Sequence, residues 1–261
     1  MNCGISATAM TLPIALKSRQ RSPVWQTQTM GSITSERVAD GTVSLITMDD
    51  GKANALTKEA ISDIITLLDD AAADEEVVAA VIAGRDGRFS GGFDLGVMKS
   101  GDLSAIVDLV ADGGELVKHS YSTGLPVVAA CTGHAMAAGA LLLLGCDVRV
   151  GAAGDYKIGL NEVAIGMVVP DWALTIARER MSKRHLQRSI ANARIFSPDE
   201  ALDAGFLDVV VDPDQVVARA IEEAATFAAL DPGAYAGTMR AFRGDTTKTM
   251  EGEIAELRAA S

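Results

Sequence analysis

From residue 33 onward, apolar positions come in short blocks that switch between strand-like alternation and helical spacing. Blocks 33–38 and 42–48 flank Ala39-Asp40-Gly41 and predict a β-hairpin. Asp50-Gly51-Lys52-Ala53-Asn54-Ala55 reads as a loop. Thr57 is the expected N-cap of a helix with Ile61, Ile64, Ile65, Leu68 and Ala72 on one face. Block 77–83 is almost wholly apolar, which predicts a strand buried on both faces. A glycine-rich loop follows, then a helix over 103–119 carrying Leu103, Ile106, Val107, Val110 and Leu116. Pro126 opens a strand over 127–131, and a second loop of small residues leads into the apolar segment 139–144. Short strands are expected over 148–150 and 156–158.

Strand pairs with intervening helices thus recur at about fifty-residue spacing, which points to a coiled stack of strand–strand–helix turns. From Ser197-Pro198 the chain reads as mostly helical, with residues 216–230 amphipathic and breaks at 205–208 and 212–214. The expected organisation is a poorly ordered extension over 1–32, a core over 33–196 and a helical oligomerisation region over 197–261. That last region is read as a separate appendage suited to packing on a neighbouring subunit. Residues 1–35 carry Lys17, Arg19 and Arg21 but no acid, which fits a transit segment or an over-extended start before Met30-Gly31.

Composition narrows the class. A chain of 261 residues, 48% hydrophobic and 22% charged, fits an enzyme-sized globular protein. A net charge of −12 argues against nucleic acid or an anionic membrane surface as partner. The three cysteines show no CxxC spacing and read as reduced thiols of a cytoplasmic protein. Residues 121–146 lack charge, but Pro126, His134 and several glycines favour strand, loop and short helix over a membrane span.

The candidate chemistry lies in two segments, Arg88-Phe89-Ser90-Gly91-Gly92-Phe93-Asp94-Leu95 and Gly133-His134-Ala135-Met136-Ala137-Ala138-Gly139. Each follows an expected buried strand and precedes an expected helix. Small residues there leave backbone N–H groups approachable, and two such sites aimed at one oxygen make an oxyanion hole. Neither G-x-S-x-G nor a P-loop occurs, and His119, His134 and His185 lack metal-ligand spacing, so no metal site is expected. Trp25 and Trp172 are most simply packing residues.

With these segments, Lys52-Ala53-Asn54-Ala55-Leu56, Cys146-Asp147, Asn161-Glu162, Ser197-Pro198 and Ala204-Gly205-Phe206-Leu207 follow in order and spacing. The chain therefore resembles the crotonase superfamily, the enoyl-CoA hydratase/isomerase family, from about residue 33 to beyond 211. The resemblance implies an α/β, crotonase-like (ClpP/crotonase) spiral of ββα units with a C-terminal α-helical trimerisation region. It implies acyl-CoA thioesters as ligands, a homotrimer or pair of trimers, and no cofactor beyond the coenzyme A of the substrate.

By position, the N–H groups of Gly91 and Ala138 resemble the family's oxyanion-hole donors, each worth roughly 3–4 kcal/mol by analogy. Family hydratases carry two glutamates: Glu162 falls on the second position, while the first falls on Leu141. That departure favours a single-base isomerase, or a weak hydratase relying on Glu162, whose pKa burial would raise. Coenzyme A contacts are implied at Lys52, Ala53, Ala55, Phe89, Gly91, Phe93, Asp94 and Leu95, with Asp94 also expected to cap a helix. The acyl pocket is implied at Leu141, Met136, Met167, Asp171 and Trp172. Asp171 is either a replacement acid or a helix N-cap. Arg240, Arg243 and Lys248 are further candidates for phosphate contacts. A non-catalytic acyl-CoA carrier, or an assembly protein using the fold for contacts alone, remains the alternative.

Overall fold

The computed structural model describes residues 27–260. The expected loose tail falls outside the described residues over 1–26, together with Cys3, Lys17, Arg19, Arg21 and Trp25. Its last part is ordered: β1 (Gln28–Met30) pairs antiparallel with β2 (Ile33–Val38), from Gln28↔Ser35 to Met30↔Ile33. The outer edge of β2 satisfies the backbone of this stretch, so the core begins before residue 33. β2 and β3 (Val43–Met48) form the expected hairpin, with Ala39 and Asp40 of the turn at positive φ.

The chain then winds in the expected order, with the short strand expected over 156–158 falling instead at Ile158–Gly159. β4 (Ala55–Leu56) and α1 (Lys58–Ala73) lead to β5 (Ala79–Ala83). β6 (Gly87–Ser90), β7 (Gly92–Phe93), α2 (Leu95–Met98) and α3 (Leu103–Ser122) lead to β8 (Val127–Cys131). β9 (Gly133–Met136) and α4 (Ala138–Gly145) lead to β10 (Val148–Ala152). β11 (Ile158–Gly159), α5 (Asp171–Arg180), α6 (Leu186–Ile190) and α7 (Pro198–Ala204) lead to β12 (Val209–Val211). α8 (Val216–Thr226) and α9 (Pro232–Ala259) follow.

Each turn of this spiral adds one parallel strand to a seven-stranded sheet, ordered β1-β2-β3-β5-β8-β10-β12. The second strand of successive turns builds a smaller parallel sheet, β11-β9-β6. Strand alternation splits the core in two. Ile46, Ala80, Ile82, Val127 and Ala129 join the helices in the larger cluster. Val43, Leu45, Val81, Val128, Ala130 and Val150 pack against Val216, Ala220 and Ala224 of α8.

The region from 197 onward is no separate appendage. β12 pairs in parallel with β10, α8 covers one face of the main sheet, and α9 packs on α3 and α5. Apolar strand and helix faces need covering: α8 covers the strands, and α9 covers α3 and α5. Arg243 of α9 is tied inside: it donates to Asp147 at 2.6 Å and to the Tyr121 carbonyl at 2.7 Å, and lies 4.5 Å from the Tyr121 ring centroid. A buried, paired arginine is unavailable to phosphates, which removes Arg243 from that role.

Thr57 caps α1 by accepting the Ala60 N–H at 3.1 Å. The buried face of α1 holds Leu67 and Ala71, leaving Ala72 exposed. Leu103, the first residue of α3, is 75% exposed, because Asp102 caps the helix at the surface and the apolar stripe starts a turn later. Among the described residues no helix is long and apolar enough to cross a membrane.

Candidate active site

The β6–β7 and β9–α4 junctions meet through their backbones. A Cβ on Gly92 (φ +93) would lie 3.0 Å from the Met136 carbonyl oxygen and 3.4 Å from the Ala138 nitrogen. A Cβ on Gly139 would lie 2.6 Å from the Ser90 carbonyl oxygen. Only glycine permits both approaches. Asn54, buried and at positive φ, ties the junction to β3 by donating to the Met48 carbonyl at 2.8 Å and the Phe89 carbonyl at 3.2 Å.

The Gly91 N–H is taken. It donates to the Ala53 carbonyl at 2.8 Å, so Gly91 is not an oxyanion donor. The cause is strand pairing: β4 runs parallel to β7, with Ala55↔Gly92 and Leu56↔Phe93. Asp94 donates its N–H to the Leu56 carbonyl at 3.3 Å. Because the Asp94 N–H turns to β4, the preceding Phe93 N–H turns to the opposite edge; the positive φ of Gly92 breaks the alternation that would otherwise set Phe93 like Gly91. Across the junction, Ala138 is the first residue of α4, while Ala140 and Leu141 donate to the Ala137 carbonyl at 2.9 and 3.0 Å. The Ala138 N–H therefore points out of the helix end with no partner among the described residues, at the positive pole of α4.

These elements border a cavity of about 360 Å³. Gly91, Phe93, Leu95 and Met98 form one wall, Ile106, Val107 and Val110 of α3 a second, and Leu257 of α9 a third. Ala137, Leu141, Ile165, Met167, Val168, Pro170 and Trp172 complete the apolar lining. Asn161 and Glu162 are its polar side chains apart from the indole of Trp172.

Glu162 follows Asn161 after β11 and turns into a short 3₁₀ helix, Val163–Ile165, with φ −52° and ψ −51°. Gly166, at φ 81°, ends that turn, and Met167 donates back to the Glu162 carbonyl at 2.9 Å. The Glu162 side chain is buried at 7% exposure, and its Oε2 has no hydrogen-bond partner among the described residues. Burial pushes its pKa above the ordinary glutamate range, against the opposing pull of its own and the Asn161 backbone N–H. Leu141, the other position of interest, is 1% exposed and has no titratable group.

Other implied contacts sort clearly. Phe93, Leu95, Leu141, Met167 and Trp172 reach the cavity, whereas Met136 does not. Phe89 is fully buried in the larger core cluster, so it supports the junction and is closed to a ligand. Asp94 caps α2 by accepting the Val97 N–H at 3.0 Å. Lys52 is exposed, and its carbonyl accepts from Arg85 Nε at 3.0 Å. Ala53 and Ala55 serve the junction through their backbone.

Asp171 fills neither expected role. It is exposed, lies outside the cavity lining, and occupies the first turn of α5, with Pro170 at the N-cap position and no side-chain cap bond. Its carboxylate instead complements the helix dipole. Asn161, Met98 and Leu257 were not legible as pocket residues. The helical stripe of 103–119 marked Ile106, Val107 and Val110 as apolar, which served equally for core and for cavity.

A parallel spiral core with a small-residue amide junction and a carboxylate-bearing apolar cavity defines a protein of the crotonase fold. The family model for enoyl-CoA hydratase/isomerase matches residues 39–259, and the chain belongs to that family. Mitochondrial enoyl-CoA delta isomerase 1 of Mus musculus is 31% identical over 180 residues, 68% of this chain and 62% of that protein. The chain spans 62–65% of the length of the mouse, rat and human forms. An enoyl-CoA hydratase/isomerase family protein from Pseudomonas syringae superposes with a TM-score of 0.83 at 35% identity, over 87% of this chain and 97% of that one. A Mycobacterium tuberculosis protein, named an enoyl-CoA isomerase in one solved structure and a probable enoyl-CoA hydratase in another, gives TM-scores of 0.81 and 0.82 at 39% and 40% identity, over 88% of this chain and 99% and 95% of those chains.

Proposed function

We propose that this chain isomerises the double bond of an enoyl-CoA, converting a 3-enoyl thioester to the conjugated 2-enoyl thioester. The thioester oxygen lies between the N–H groups of Phe93 and Ala138, which stabilise it as it gains negative charge. Glu162 takes the proton from C2, the electrons spread into a dienolate, and the same carboxyl returns the proton at C4. Burial suits Glu162 to both steps, because a raised pKa makes its carboxyl a stronger base when ionised while leaving it able to give the proton back. The apolar walls receive the acyl chain, and the chemistry calls for no cofactor beyond the coenzyme A of the thioester.

The observation that carries this reading is a buried carboxylate oxygen without a partner in a cavity where the second position is leucine. The mouse relative named enoyl-CoA delta isomerase 1 supports it. The test is an assay of matched 3-enoyl-CoA and 2-enoyl-CoA substrates with wild type and Glu162→Gln. Isomerisation lost in the variant supports the reading; tight binding of the thioester with no turnover in wild type replaces it with a carrier.

A further inference from the structure

Two glycines stand side by side in the middle of α3, where glycine is, after proline, the residue least suited to a helix. Gly113 and Gly114 are both buried, and they continue the face of α3 that carries Ile106, Val107 and Val110 along the cavity. Alanine would serve the helix better, so their reason lies in what packs on them. A Cβ on Gly113 would lie 2.3 and 2.4 Å from Cε1 and Cζ of Phe93, and the three atoms nearest to it all belong to that ring. A Cβ on Gly114 would instead meet Ile254 at 2.9 Å and Trp172 at 3.0 Å. The Phe93 ring thus sits with its tip in a notch at Gly113, against bare helix backbone. Its own strand holds Phe93 at one side only: β7 is two residues long, and the Asp94 N–H reaches β4 at 3.3 Å. So short a ladder leaves Phe93 free to tilt, and the seated ring supplies the second hold. α4, which begins at Ala138, approaches the same helix, since a Cβ on Gly145 would lie 2.8 Å from the Val117 carbonyl oxygen. α3 is the common frame for both residues that carry the proposed oxyanion donors.

We propose that Gly113 is a positioning residue for the oxyanion site: by seating the Phe93 ring against α3, it fixes the Phe93 N–H on the thioester oxygen. The role rests on the mechanism proposed above, in which that oxygen lies between the Phe93 and Ala138 N–H groups. Such donors stabilise a growing charge only when they are held in place beforehand, and tenths of an ångström decide how well. A methyl group on Gly113 would drive the ring tip back by about 1 Å to reach ordinary contact, and the ring would tilt the Phe93 backbone with it. Gly113 does not line the cavity and acts through Phe93 alone.

The experiment follows the thioester carbonyl directly. A saturated acyl-CoA, isotope-labelled at that carbonyl, is bound to the full chain, and its C=O stretch is read by infrared difference spectroscopy. Hydrogen-bond donors lower the frequency, so the wild-type complex is expected to absorb below the free thioester. Isomerisation of a 3-enoyl-CoA is measured in parallel. Gly113→Ala is expected to lose about half or more of the frequency shift and to lower kcat about tenfold or more, with KM within about threefold of wild type. Gly114→Ala crowds the same helix but meets Trp172 and Ile254, and is expected to keep the shift. A Gly113→Ala protein that keeps the shift overturns the proposal. So does an equal loss in Gly114→Ala, the mark of general damage to α3. Should Gly113→Ala fail to fold, Phe93→Leu removes the ring tip and keeps the backbone N–H; a shift retained there overturns the proposal in the same way. A wild-type stretch unmoved by binding overturns the amide pair and the role of Gly113 with it, whereas a shifted stretch without isomerisation overturns the isomerase reading alone.

Discussion

The Gly91 N–H donates to the Ala53 carbonyl at 2.8 Å, so the oxyanion donor of the proposed mechanism lies two residues further along, at Phe93. The bond spends the Gly91 amide on holding the β6–β7 junction against the loop before β4. Replacing Gly91 by alanine tests the reassignment. The added Cβ would meet Ala53 at 3.3 Å, a contact relieved by a small shift. We expect Gly91→Ala to keep kcat within about tenfold of wild type, well short of the 10²–10³ loss typical of removing an oxyanion donor.

Gly92 is the stricter position. Its φ of +93° disfavours any side chain, and a Cβ would press on Met136, Ala137 and Ala138 together. Gly92→Ala is expected to lower kcat by about 10² or more by displacing the donor pair, and to cost about 1–3 kcal/mol of stability. Steady-state kinetics and thermal unfolding measure the two effects.

Loss of the Glu162 carboxylate would remove the proton carrier of the proposed isomerisation. Glu162→Gln is expected to lower kcat for isomerisation by about 10²–10⁴ while thioester binding, followed by calorimetry, is retained.

The same variant has a pH signature in stability. Burial raises the folded-state pKa of Glu162, so the folded chain holds this proton more tightly than the unfolded chain. Below the ordinary glutamate value of 4.5 both states are protonated and no penalty exists. As pH rises past that value and through the raised folded one, ionisation inside the cavity destabilises the fold. Glu162→Gln should therefore unfold at a higher temperature than wild type at pH 8, by about 2–4 °C for each kcal/mol of penalty removed. The gain should vanish near pH 4. An equal gain at both values would contradict it.

Arg243 and Asp147 form a buried ion pair between α9 and the end of α4, and Asp147 also accepts the Val127 N–H at 2.7 Å. Arg243→Met leaves Asp147 without its cation in the interior. A loss of about 3–5 kcal/mol is expected, read by denaturant unfolding, because the buried carboxylate keeps its Val127 N–H bond but loses its paired guanidinium.

The helical spacing after Thr57, the apolar blocks at 79–83 and 127–131, and the hairpin at Ala39-Asp40-Gly41 were legible because local periodicity and turn chemistry act within a few residues. So was Glu162 as the lone acid, since a motif reports order and residue type. Which amide is free was not legible: Gly91 and Phe93 sit two apart in one segment, and only the partner strand decides which is spent. The burial of Arg243, the fitting of β12 to β10, and the reach of Leu257 to the cavity depend on residues over fifty positions away. Sequence fixes what each segment prefers on its own, whereas long-range packing chooses which polar groups are consumed by the fold and which are left for chemistry.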